Sequence, residues 1–193
     1  MTKSRLEAFS DGVLAIIITI MVLELEIPHN TSFKALSKLL PVFSSYLMSF
    51  VFIGIYWGNH HHLLHTVHRV NSKIIWSNMG LLFFLSLIPF STGWMGQNNF
   101  HSHTVALYSI NLLLCAIAYF ILQTVITSHY SHSSELITAM KKQQKKGMIS
   151  LVLYVVSTVS AFYYPIVSGF FIVITAVIWI IPDKNIEAAL DEK

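Results

Sequence analysis

The stretch Arg5-Leu6-Glu7-Ala8-Phe9-Ser10-Asp11-Gly12, followed by the apolar run 13–23, decides how this chain is read. An arginine and an aspartate stand at the mouth of a segment that otherwise suits a membrane interior. A charge at bilayer depth costs about 2.5–3.5 kcal/mol on insertion scales, so such residues need partners or a wet neighbour. The span reads from residue 6 to 25 and stops at Ile27-Pro28, where proline ends the helix. Its roughly 20 residues at about 1.5 Å each cross a hydrocarbon core of about 30 Å. Glu24, Glu26 and Pro28 stand where a signal peptide would need small residues for cleavage, so this helix is expected to be retained.

Composition agrees with the opening stretch. Of 193 residues, 54% are hydrophobic and only 11% charged, and mean hydropathy is +0.64. Soluble domains carry about 25% charged residues, so the chain reads as an all-α integral membrane protein. The net charge of +3 is not gathered on one face, and no nucleic-acid partner is expected. The single Cys115 lies in an apolar run and reads as a buried thiol.

Further spans are expected at 36–58, 74–94 with Pro89 inside it, 104–127, 148–163 and 165–181. Residues 128–146, the most polar part of the chain, read as a loop. The last two segments are short and flank Pro165; together they are too long for one straight crossing, which favours two spans. Six spans place both termini on one side. Ten of the twelve lysines and arginines share that side: Lys3, Arg5, Arg69, Lys73, Lys141, Lys142, Lys145, Lys146, Lys184 and Lys193. Only Lys34 and Lys38 oppose them, so the termini are expected to be cytoplasmic, in a multi-pass plasma-membrane protein. The lysines at 141–146 serve as a topology determinant, or as contacts for anionic membrane lipids. No repeat or linker divides the chain, which reads as a single domain, 1–193.

A helical wheel separates two jobs in the first span. With Ile16 at zero and about 100° per residue, Ile20 lies near about +40°, Leu23 about −20° and Thr19 about −60°. Ser10 falls at about +120° and Asp11 at about −140°, away from that stripe. Glu24 and Glu26 flank its outer end, either as an acidic vestibule that gathers cations or as carboxylates that end the helix in water.

Arg5-x-x-x-Phe9-Ser10-Asp11 resembles the signature of the transmembrane protein 175 family, the lysosomal and bacterial potassium channels. Trp57-Gly58-Asn59-His60-His61, Trp76-Ser77-Asn78 and Pro89-Phe90-Ser91-Thr92 fit the same family, so the likeness runs along the whole chain. That resemblance implies a homotetramer of six-helix units, each first helix lining a central pore. It implies an apolar constriction at Ile16, Ile20 and Leu23, with Thr19 aiding selectivity, because these positions match the family's pore residues. The arginine, phenylalanine, serine and aspartate are implied to form a packing network with the second and third helices. Here that network is Arg5, Phe9, Ser10, Asp11, Trp57, Asn59, His60, His61 and Asn78. The implied activity is a potassium-preferring cation pathway, leaky because no TVGYG-like loop is present, with proton permeation in reach and no cofactor besides the permeant potassium ion.

Ten histidines open a competing reading. His61, His65 and His68 are spaced for one helix face, and His129 and His132 sit at the same membrane side. Imidazoles so placed could bind a transition metal in a membrane-embedded metalloenzyme, but no carboxylates accompany them and no catalytic triad or phosphate loop appears. A proton-coupled transporter would call for inverted repeats and broken helices, and only Pro89 and the Pro165 region suggest any break. His60 or His61 is expected to satisfy Asp11 or Ser10 instead, and a histidine cluster near a pore would make gating sensitive to pH.

Overall fold

Most of the helices start where the sequence supplies a side-chain cap or a proline. In α1 (Lys3–Met21), the Thr2 side chain accepts a hydrogen bond from the Arg5 amide; in α2 (Phe33–Ser37), Ser32 accepts from Ala35. Pro41 lies in the first turn of α3 (Leu40–His65), where its missing N–H costs nothing. Asn71 caps α4 (Ser72–Ser86), accepting from the Ile74 amide at 2.9 Å. α5 (Ile88–Gln97), α6 (Ser102–His129), α7 (Ser134–Ala161) and α8 (Pro165–Ile180) complete the chain. The computed structural model describes residues 2–129 and 134–180, and all regular structure among them is helical.

Four stretches are long and apolar enough to cross a membrane: 3–24, 40–65, 72–97 and 102–128. α8 is apolar too, with 16 residues. The third of these stretches is broken at Leu87, between α4 and α5. Pro89 has no N–H to give the Leu85 carbonyl, so the ladder lapses there and resumes with the Ser91 amide on Leu87.

The described residues of the polar stretch, 128–129 and 134–146, are helical and not a loop. α7 already runs through 134–147 and joins the apolar 148–161 as one helix. Lysine and glutamine are good helix formers whatever their hydropathy, which is why polarity misled here. His68 also departs from expectation. α3 ends at His65, with the Thr66 hydroxyl donating to the Leu63 carbonyl, so His61, His65 and His68 do not continue along one helical face. Lys184, Lys193, His132 and the end of the last predicted span lie outside the described residues.

α1 packs against α3, α4 and α5, while α6 runs beside α4, α5, α7 and α8. α3 touches α5 closely enough that a Cβ on Gly96 would stand 2.7 Å from the Val42 Cα. Buried hydroxyls run through the bundle: Ser49 joins Thr92 at 2.6 Å and Tyr108 at 2.9 Å, and Ser109, Ser157 and Ser168 meet between α6, α7 and α8. Lipid tails are as apolar as leucine, so close packing and such interhelical hydrogen bonds hold membrane helices together more than hydrophobic burial does.

Candidate functional site

The functional reading rests on α1, whose two faces differ sharply. Leu6, Ser10, Leu14, Ile17 and Met21 are buried against the neighbouring helices. Ile16 is 57% exposed, Ile20 45% and Leu23 76%, and Thr19 is exposed beside them. These four residues line the side of α1 that its own bundle leaves uncovered. The Thr19 hydroxyl donates to the Ile16 carbonyl at 2.9 Å, which leaves its oxygen as an acceptor on that side. Arg5 and Phe9 also stay outside the bundle: Arg5 is exposed and Phe9 is half exposed.

Past Met21 the backbone tightens into a 3-10 turn over Val22–Glu24. The wheel drawn for an α-helix no longer holds there, because each residue turns further. The Glu24 carboxylate swings against α5, accepts from the Gln97 side chain at 3.3 Å and lies over Gly93. A side chain at 93 would collide with that carboxylate, so the glycine makes room for it. Glu26 follows the turn and is exposed.

The polar pair of the opening stretch is satisfied on the opposite face. The Ser10 hydroxyl donates to the Leu6 carbonyl at 2.8 Å and accepts from the Asn78 amide nitrogen at 2.9 Å. The Asn78 oxygen is then the acceptor for His60 Nε2, 2.6 Å away, which fixes the proton on that nitrogen. Ser10, Asn78 and His60 are all buried, so one relay ties α1 to α4 and α4 to α3. Asp11 Oδ1 accepts from the Trp57 indole N–H at 3.0 Å, a second tie to α3. Histidine therefore reaches Ser10 through Asn78, not directly. His61 is exposed and lies against the rings of His62 and His65. Asn59 spends its amide on the Ile55 carbonyl, and its own carbonyl accepts from the Tyr119 hydroxyl at 3.1 Å.

One tie has no trace in the residue spacing. Lys3 Nζ donates to the His65 carbonyl at 2.8 Å and to His65 Nδ1 at 3.0 Å, with Glu7 at 3.9 Å. A cation at the C-terminal end of α3 meets unpaired carbonyls and the negative end of the helix dipole. The two residues are 62 apart, and no local pattern announces the pair. Among the described residues, no group of three or more histidine, cysteine, aspartate or glutamate side chains is arranged to hold a metal ion.

Four apolar spanning stretches, an all-helical bundle and a first helix with one uncovered apolar face define a multi-pass membrane protein. A family model described as "Endosomal/lysosomal potassium channel TMEM175" matches residues 5–89. A potassium channel of Chryseobacterium sp. (strain P1-3) is 50% identical over 192 residues, covering 100% of both chains. The crystal structure of a lysosomal potassium-selective channel TMEM175 homolog from Chamaesiphon minutus superposes with a TM-score of 0.82. It is 26% identical and covers 92% of this chain and 96% of its own. The human endosomal/lysosomal proton channel TMEM175 is 36% identical over 99 residues, 45% of this chain and 19% of that protein. The chain belongs to the TMEM175 family, whose members here are ion channels and not enzymes. The histidine-ligated metalloenzyme and the proton-coupled transporter are not favoured.

Proposed function

We propose that four copies of this chain surround a central axis with their α1 helices and form a potassium-preferring cation channel. The observation that carries the reading is the face of Ile16, Thr19, Ile20 and Leu23, turned away from the subunit's own bundle. The names of the bacterial relatives and the Chamaesiphon fold support it. In this reading the four long stretches, the apolar part of α7 and α8 are six spans of one domain, 1–193, and the lysine asymmetry sets both termini in the cytoplasm. The host is the plasma membrane, and the partners are other copies, lipids and monovalent cations.

The rings of Ile16, Ile20 and Leu23 act as an apolar barrier that excludes loosely held water, so an ion crosses only when partly stripped of its shell. The Thr19 ring offers oxygen acceptors next to that barrier and favours the cation that dehydrates more cheaply, potassium over sodium. A transient water wire through the same rings carries protons, in keeping with the name of the vertebrate relatives. No cofactor takes part; potassium is the permeant ion.

Two outcomes are expected. Leu23→Cys forms disulfide-linked dimers under mild oxidation in membranes, and Val152→Cys, on the face of α7, forms none; Cys115 is buried and stays silent. Native mass spectrometry then gives four chains per particle, and a monomer would sink the proposal. Glu24→Gln with Glu26→Gln lowers conductance severalfold in low salt and much less in about 1 M salt, where the Debye length is about 3 Å. Equal conductance in both salts would assign these carboxylates to ending the helix alone.

A further inference from the structure

α3, α6, α7 and α8 enclose a cavity of about 30 Å³ that the channel reading does not use. Phe52, Tyr56, Tyr119, Phe120, Tyr154 and Trp179 supply its aromatic walls, and no charged side chain lines it. Part of its polar rim is paired. The Gln123 amide nitrogen donates to Gln143 Oε1 at 3.0 Å, Gln143 donates to the Tyr119 hydroxyl at 3.2 Å, and the Trp179 indole donates to Ser150 at 2.7 Å. Gln123 Oε1 is not: it is buried and has no hydrogen-bond partner, on a residue with no exposed surface. A buried acceptor left unpaired costs about 1–3 kcal/mol, so a donor is wanted there.

The cavity is not sealed from the lipid side. Ile55, Asn59 and Trp179 line both it and a groove of about 260 Å³ on the outside of the bundle. Gly54 and Gly58 form the floor of that groove, and nothing lies within 4 Å of where their Cβ atoms would be. The enclosed part has room for a hydroxyl group, or for about two waters at about 10–15 Å³ each. The groove has room for the apolar body that would carry the hydroxyl. A cation would find no counter-charge among the lining residues, which points to a neutral donor.

We propose that this seam binds the hydroxyl head of a neutral, membrane-dissolved amphiphile, with the O–H donated to Gln123 Oε1 and the apolar body lying over Gly54 and Gly58. The site is separate from the α1 face, and its ligand is an alcohol rather than the permeant ion.

The probe is a diazirine-bearing octanol, photolysed with the full-length protein in phosphatidylcholine vesicles, and its methyl ether is the control. The alcohol is expected to label Tyr56, Tyr119 or Trp179, read by peptide mass spectrometry, and excess octanol competes. The ether, which cannot donate, labels these residues about three- to tenfold less, the weight of one hydrogen bond to a buried acceptor. Gln123→Leu lowers alcohol labelling to the ether level. Gly54→Leu fills open space and cuts labelling by both probes; it remains informative if the Gln123 variant fails to fold. Equal labelling by alcohol and ether in the wild-type protein would overturn the proposal and leave the cavity to water. So would labelling that both substitutions leave unchanged.

Discussion

Asn78→Leu, on the buried face of α4, is expected to destabilise the subunit by about 2 kcal/mol. The substitution keeps the branched outline and the number of heavy atoms and removes both ends of the relay. His60 Nε2–H loses its acceptor and Ser10 loses its donor, in a region that water does not enter. Interhelical hydrogen bonds inside membranes average about 0.6 kcal/mol and reach about 1.7, and orphaning a buried partner adds about 1–3. The sum favours a clear loss, moderated because the unfolded helices find other partners in the bilayer. Reversible unfolding in mixed micelles measures it. A double-mutant cycle with Ser10→Ala separates the Ser10–Asn78 coupling from the loss at His60. Stability within about 0.5 kcal/mol of wild type, the usual range for changes at unimportant surface sites, would remove the relay from the account.

Ile20→Asn is expected to have the largest effect on transport. In the proposed assembly four isoleucine side chains meet at this level, and dewetting of their ring sets the barrier. Four amides there hold water, so ions cross without shedding their shells. Lowering the barrier by about 1.4 kcal/mol raises flux about tenfold, and a wetted ring should exceed that. Selectivity falls at the same time, because a hydrated potassium and a hydrated sodium ion differ little in size. Valinomycin-calibrated potassium flux from liposomes reads both effects. Because Ile20 is 45% exposed on the subunit, the change should leave folding intact, and stability is the internal control. Unchanged flux with an intact fold would place the barrier elsewhere.

The legible parts of this fold were those written in local periodicity. The wheel separated the Ile16–Leu23 stripe from Ser10, and burial divides α1 along the same line. It failed at Glu24 because a 3-10 turn covers Val22–Glu24, and the extra roughly 20° per residue accumulates until Glu24 has turned off its helical angle, while Leu23 stays exposed. Hydropathy found the four long apolar stretches and missed the polar half of α7, since it measures transfer free energy and not helix propensity. The choice of His60 over His61 was within reach: Ser49, Phe52, Tyr56 and His60 repeat at three- to four-residue intervals on one buried face, and His61 does not. The Lys3–His65 tie and the partnerless Gln123 oxygen depend on how distant helices meet. No window of sequence contains that information.

The central claim is that α1 forms a cation pathway preferring potassium. Its most direct test is the reversal potential of the purified protein in planar bilayers, with potassium on one side and sodium on the other. The account predicts a shift toward the potassium equilibrium potential, reduced toward zero by Ile20→Asn. A reversal potential at zero in the wild-type protein, or no current with either ion, would contradict it.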